Sequence, residues 1–226
     1  MSARAAEPSA HGVGHRARQP AFLWWTGGIA TLLATAVTAA VLVSGDGLMA
    51  GDSALHTWSL THRPQAAVSV ARAVTDSGTS VWPCLICFAA GFFTGTALRP
   101  RLIRGLAAVA LLLAGQGVRL AAMSLIGRPR PPRSDWATHA SGFSMPSGHT
   151  TTAALTAGLV CWAVTATAHR TVACCVRVVA VVWAVCVALT RIYLGVHWAS
   201  DVLAGWLLAV ACLAFLVALV GPLERR

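Results

Sequence analysis

The chain has 226 residues, of which 57% are hydrophobic and only 11% are charged. A soluble domain carries about 25% charged residues, so the composition excludes a water-soluble globular protein and indicates an integral membrane one. The net charge is +10, but the basic residues fall in short stretches between apolar runs rather than along one polar face, which excludes a nucleic-acid-binding surface. All 17 basic residues are Arg, and with the abundance of Ala and Val this bias fits a GC-rich bacterial genome.

Residues 1–20, rich in Arg, His, Pro and Ala, read as a disordered cytoplasmic tail, and 21–222 as one membrane domain. The first apolar run, Phe22–Val43, is too long for a signal-peptide core of about 7–15 residues and long enough for an uncleaved anchor. The candidate spans are 22–44, 81–98, 103–126, 150–168, 172–192 and 198–220. The expected fold is therefore all-α, a bundle of six transmembrane helices. Span two is short, starts near Pro83 and carries Gly91-x-x-x-Gly95, a spacing that lets helices approach closely. Between spans one and two, Leu55, Trp58, Leu60, Ala67, Val70 and Val74 recur at loosely helical spacing. This predicts one or two interfacial amphipathic helices, broken near Arg63-Pro64. Of the seven Cys, Cys84-x-x-Cys87 has metal-like spacing but no second pair, and it sits inside a span, so it reads as two small hydrophobes.

Charge orients the spans. Arg4, Arg16, Arg18, Arg99, Arg101, Arg104, Arg170, Arg177, Arg225 and Arg226 all fall on one side of a six-span chain. By the positive-inside rule that side, with both termini, is cytoplasmic. Three sequence motifs then face outward. Arg128-Pro129-Arg130-Pro131 offers planar guanidinium groups suited to bidentate phosphate contact. Pro146-Ser147-Gly148-His149 precedes a helical run, so Ser147 is a candidate N-cap, Gly148 admits a ligand to the backbone, and the helix end seats an anion. His149 is placed to donate a proton. In Thr190–Asp201, Arg191, His197 and Asp201 stand at the head of an apolar run, where charge is costly and marks a site. Asp201 is the sole acid in the candidate spans; if the chain is helical by residue 197, His197 and Asp201 share a face at i, i+4 and the carboxylate can hold the ring.

In order and spacing these motifs resemble the type 2 phosphatidic acid phosphatase (PAP2) family, whose superfamily includes vanadium haloperoxidases and bacterial lipid phosphatases. The resemblance runs from about Asp52 to Leu208, with His62-Arg63-Pro64 and Thr75-Asp76-Ser77-Gly78 also similar to bacterial members. It implies an extracytoplasmic active site in which His197 is the nucleophile, forming a phosphohistidine. Asp201 orients it, and His149 protonates the leaving group and then activates water. Arg130, Arg191, Ser147 and Gly148 bind the phosphoryl oxygens. No metal or other cofactor is implied, and the expected partners are the bilayer and a lipid phosphate. The family usually has a Lys seven positions before the Arg of the final Arg-Pro; here Met123 stands there, and Arg119, one turn earlier on the same face, is the expected substitute. The implied substrates are polyprenyl diphosphate, phosphatidic acid and phosphatidylglycerolphosphate, with the family's habits favouring undecaprenyl or decaprenyl diphosphate recycled in cell-wall synthesis at the bacterial plasma membrane. Phosphotransfer to a sugar or lipid acceptor, and a non-catalytic anion or lipid-phosphate transporter, are the competing readings.

Overall fold

The computed structural model describes residues 14–45 and 47–220; the expected tail lies outside the described residues as far as residue 13. Among the described residues there are eight α-helices, one 3-10 turn at Arg133–Asp135 and no strand. The helices are α1 (Gly14–Val43), α2 (Asp52–Thr61), α3 (Gln65–Ser77), α4 (Trp82–Phe92), α5 (Leu98–Ile126), α6 (Gly148–Thr167), α7 (Arg170–Tyr193) and α8 (Ala199–Val220). The first helix begins inside the expected tail, because extending a formed helix adds one hydrogen bond per residue without a nucleation cost.

Four segments are long and apolar enough to cross a membrane: Ala21–Val43, Leu98–Ile126, Arg170–Tyr193 and Ala199–Leu219. The run expected as span 81–98 instead gives an 11-residue helix and a turn before α5. At 1.5 Å per residue α4 is about 16 Å long, against an apolar bilayer core of about 30 Å. The remaining expected span, α6, has the centre of the bundle. No residue from Gly148 to Val164 is exposed, and α6 packs against α4, α5, α7 and α8. An enclosed helix meets protein instead of lipid, so it tolerates the Thr150, Thr151 and Thr152 run at its start. Leu155 and Leu159 of α6 join Leu112 of α5 and Ala209 of α8 in one core cluster, and Ala153 and Ala157 join Ala184 and Val187 of α7 in another. The outer faces of α1, α5 and α7 expose Phe22, Trp25, Leu32, Leu106, Leu113, Val179 and Leu189, as lipid contact requires.

Short-range closeness between α4 and α5 depends on glycine. A Cβ on Gly91 would run into the carbonyl of Arg104 and lie 3.0 Å from Gly105 Cα. Substituting Leu at Gly91 is expected to force these helices apart at a cost of about 1–3 kcal/mol or more. The check is the thermal midpoint of tryptophan fluorescence in detergent, and an unchanged midpoint would contradict the close crossing.

The helices α2 and α3 form as the amphipathic pattern predicts, with the break at His62–Pro64. They clamp the loop between α5 and α6. His56 Nε2 pairs with Asp135 Oδ2 at 2.9 Å, Arg63 Nη1 donates to Asp135 O at 2.8 Å, and Arg72 Nε donates to Ala137 O at 2.6 Å. That loop and the turn between α7 and α8 lie at the same end of the bundle, joined by the Ala137 N–H to Leu194 O bond at 2.9 Å.

Candidate active site

Three chain segments meet at this end: the loop 127–147 leading into α6, the C-terminal turn of α7, and the loop 194–198 leading into α8. The sequence expectation made the His197–Asp201 contact conditional on a helix already formed at residue 197. The structure places His197 before α8, which begins at Ala199. Its contact with Asp201 arises differently: Asp201 sits in the first turn of α8 and reaches back, accepting the Trp198 backbone N–H at 2.9 Å and the His197 Nδ1 at 3.3 Å on the same Oδ2. One carboxylate oxygen thus caps the helix and orients the ring, a capping-box geometry put to a second use. With Nδ1 facing the carboxylate, Nε2 is the nitrogen left with a lone pair, and it accepts from Arg130 Nη1 at 2.8 Å.

His197 is 2% exposed. Burial, reinforced by Arg130 and Arg191, pushes its pKa down to about 4 against the upward pull of Asp201, so the ring is neutral at pH 7. The unfolded ring titrates near 6.5. The stability this group contributes is therefore complete above about pH 6.5 and is lost as pH falls toward 4. Acidification from pH 7 to pH 5 is expected to lower the thermal midpoint, and His197→Gln, with no titrating ring, to flatten part of that slope. An identical slope in the variant would contradict the buried neutral ring.

Arg130 lies within electrostatic range of both Arg119 and Arg191. Arg130 is fixed by donation to the carbonyls of Gly142 (3.0 Å), Ser141 (2.7 Å) and Val196 (2.9 Å). Arg191, 1% exposed, donates to Thr75 Oγ1 at 2.9 Å. Arg119 donates to Met123 Sδ at 3.1 Å, and its Cζ lies 3.2 Å from where a Cβ on Gly148 would stand. Gly148 therefore lets a guanidinium press against the start of α6. His149 lies within electrostatic range of Arg191, His197, Arg130 and Arg119. Two buried donors, Arg119 Nε and Arg191 Nε, have no partner among the described residues. Buried N–H groups are rarely left unpaired, and here they border three Arg side chains whose acidic neighbours are Asp201, near Arg130, and Asp76, near Arg191.

Ser147 occupies the N-cap position of α6, but its side chain makes no cap hydrogen bond. Its Oγ instead accepts from Thr150 Oγ1 at 3.0 Å, and its backbone N–H donates to Asp201 O at 3.1 Å, tying α6 to α8. Arg128 also departs from expectation. Its nitrogens turn away from the cluster to Asp52, Ser200, Asp201 and Gly47 O. Sequence reasoning missed Asp52 and Ser200 as parts of this assembly, and Thr75 as the partner of Arg191. The available signal was an acid, Asp52, opening an amphipathic helix in the outer loop.

Beside the cluster lies an apolar groove of about 810 Å³ between α2, α3 and α7, lined by Leu55, Trp58, Val70, Val74, Leu189 and Tyr193. Its walls are chain neighbours of Thr75 and Arg191. Among the described residues no three His, Cys, Asp or Glu side chains are grouped to hold a metal ion.

The fold and this cluster define a multi-pass helical membrane protein with Arg and His side chains gathered at one end of the bundle. The sequence model of the PAP2 superfamily matches residues 104–225, and the chain belongs to that superfamily. Its fold is similar to the crystal structure of the transmembrane PAP2-type phosphatidylglycerolphosphate phosphatase from Bacillus subtilis, with TM-score 0.73 and 23% identity over 89% of this chain and 98% of that one. No curated protein sequence matches the chain.

Proposed function

We propose that the protein is an integral-membrane lipid phosphatase that hydrolyses a phosphomonoester or diphosphate head group through a phosphohistidine on His197. The observation that carries this reading is the convergence of three guanidinium groups and two imidazoles with unspent donors, around a neutral His197 whose Nδ1 is held by a carboxylate. Positive groups fixed around a transferring phosphoryl are the expected source of catalysis.

The chemistry follows the geometry. A phosphoryl oxygen takes over the Arg130 N–H that now rests on His197 Nε2, freeing that lone pair. Nε2 bonds to phosphorus while the ester or anhydride P–O bond breaks, and His149, which takes up a solvent proton as the negative phosphate enters the cluster, gives that proton to the departing oxygen. Neutral His149 then takes a proton from water, whose oxygen attacks phosphorus; the P–N bond breaks and inorganic phosphate leaves. Arg119, Arg130 and Arg191 spread over the equatorial oxygens throughout.

The apolar groove next to the cluster supports a substrate with a lipid tail, and the basic helix ends support an outward site. Arg99, Arg101 and Arg104 start α5, and Arg170 starts α7, at the ends away from His197. With α6, and α4 together with the turn that follows it, counted as the additional crossings, the chain makes six passes with both termini cytoplasmic. The test is phosphate release by purified protein in detergent with EDTA, from phosphatidic acid, phosphatidylglycerolphosphate and undecaprenyl diphosphate, with and without a lipid or sugar acceptor. Release from at least one lipid in EDTA is expected. Release only with added metal, or transfer to acceptor in place of release, overturns the hydrolytic, metal-independent reading.

A further inference from the structure

Behind His197, on the side away from the cationic cluster, three charged side chains are packed without access to solvent: Asp52 is 1% exposed, Arg128 3% and Asp201 0%. Arg128 Nη1 donates to Asp201 Oδ1 at 2.5 Å, and Nη2 donates to Asp52 Oδ2 at 2.8 Å. Ser200 completes the assembly. Its Oγ accepts from Arg128 Nη1 at 2.8 Å and donates to Asp52 Oδ2 at 2.6 Å, while its backbone N–H donates to Asp52 Oδ1 at 2.9 Å. The remaining Arg128 donors close on Gly47 O, so nothing on this side chain is left for a phosphate. Trp198, next to His197, lies with its ring 5.9 Å from Arg128 Cζ.

We propose that Asp52 and Arg128 are positioning residues, acting through Asp201 to set both the aim and the charge of the carboxylate behind the nucleophile. This inference rests on the phosphohistidine reading. Aim comes first. With Oδ1 of Asp201 held by Arg128 and Ser144, and Oδ2 by the Trp198 N–H, the carboxylate cannot rotate, and Oδ2 stays at His197 Nδ1.

Charge is the second effect. Arg128 alone would neutralise Asp201. Shared between two carboxylates it leaves the group at a net −1, beside a ring that gains positive charge as Nε2 bonds to phosphorus. A buried ion pair costs about as much desolvation as it returns in attraction, so a second buried carboxylate is poorly explained by stability. It is explained if the surplus charge stabilises the imidazolium-like ring in the transition state. The phosphate-binding guanidinium groups are on the opposite side of the ring, so ground-state binding is spared.

The experiment compares wild type, Asp52→Asn and Asp52→Glu as full-length protein in detergent, using whichever of phosphatidic acid, phosphatidylglycerolphosphate or undecaprenyl diphosphate the wild type hydrolyses fastest. Asp52→Asn keeps shape and most hydrogen bonds and removes the charge. It is expected to lower kcat about 10- to 100-fold, as for a hydrogen-bonded charge, with KM within about threefold of wild type. Asp52→Glu, which retains the charge, is expected to recover a substantial part of the loss. Unchanged kcat in Asp52→Asn, a loss confined to KM, or equal losses in the Asn and Glu variants each overturn the proposal. Where Asp52→Asn does not purify as a folded protein, Ser200→Ala replaces it: losing the hydroxyl bridge is expected to lower kcat about two- to tenfold at constant KM, and wild-type kcat overturns the proposal. Hydrolysis by wild type with no effect of Asp52→Asn sinks this inference alone. No hydrolysis of any of the three lipids by wild type sinks the phosphatase reading, and this inference with it.

Discussion

His197→Ala is expected to reduce phosphate release by about 10⁴-fold or more, the scale seen when an activated nucleophile is removed. Lipid-phosphate binding should survive, because Arg119, Arg130 and Arg191 do not depend on the ring for their positions. Arg130 is held by three backbone carbonyls and Arg191 by Thr75. Removing the ring also frees the Arg130 N–H that rests on Nε2, so affinity for a lipid phosphate should be equal to or higher than in wild type. Two measurements check this: phosphate release over hours, and acid-labile incorporation of ³²P from a labelled lipid phosphate in a rapid quench. Labelled wild type with unlabelled His197→Ala is the expected pair. Residual turnover within tenfold of wild type would remove His197 from the mechanism. Intact binding or flux with no release in either protein would favour the transporter reading.

Arg119 carries the second large expectation. Its guanidinium reaches the start of α6, where a Cβ at Gly148 would lie 3.2 Å from its Cζ, tighter than an ordinary contact, and its Nε is buried without a partner among the described residues. Arg119→Ala is expected to lower kcat/KM about 10²- to 10³-fold, the range for losing one charged transition-state contact. The position four residues on supplies a sharper test. Met123 Sδ is 3.1 Å from Arg119 Nη1, so an ammonium at position 123 arrives at nearly the same point. The double variant Arg119→Ala, Met123→Lys is expected to regain at least tenfold over Arg119→Ala alone. Failure of Arg119→Ala to affect turnover would exclude Arg119 as the third phosphate ligand. Loss without rescue by Lys would assign it a packing role at Gly148.

How much of the site could be read along the chain differs from residue to residue. His197, Asp201 and Arg191 were legible because charge inside an apolar run has few explanations. Arg119 was legible only through a spacing argument, the loss of a Lys and a cation one helical turn away. Arg128 misled, since Arg128 and Arg130 are the same residue type two positions apart in one motif. Only the fold turns one toward His197 Nε2 and the other toward Asp52. Asp52 stands 76 residues before Arg128, and no local pattern connects them. Ser147 shows the reverse case. It occupies the expected cap position, yet its hydroxyl accepts from Thr150, one turn into the same helix, and what ties it to α8 is its backbone N–H on Asp201 O.

The amino-acid sequence by itself determined the membrane class, the helical elements, the break between α2 and α3, and the chemical types available to the site, since hydropathy, proline and charge act locally or along one helix. Tertiary structure decided the rest. It shortened the second span to α4, enclosed α6 despite its polar start, brought the loop before α6 and the turn between α7 and α8 to one end of the bundle, and divided neighbouring arginines between an imidazole and a carboxylate. Those outcomes depend on which surfaces meet, and a buried charge takes whichever partner packing places within hydrogen-bond reach.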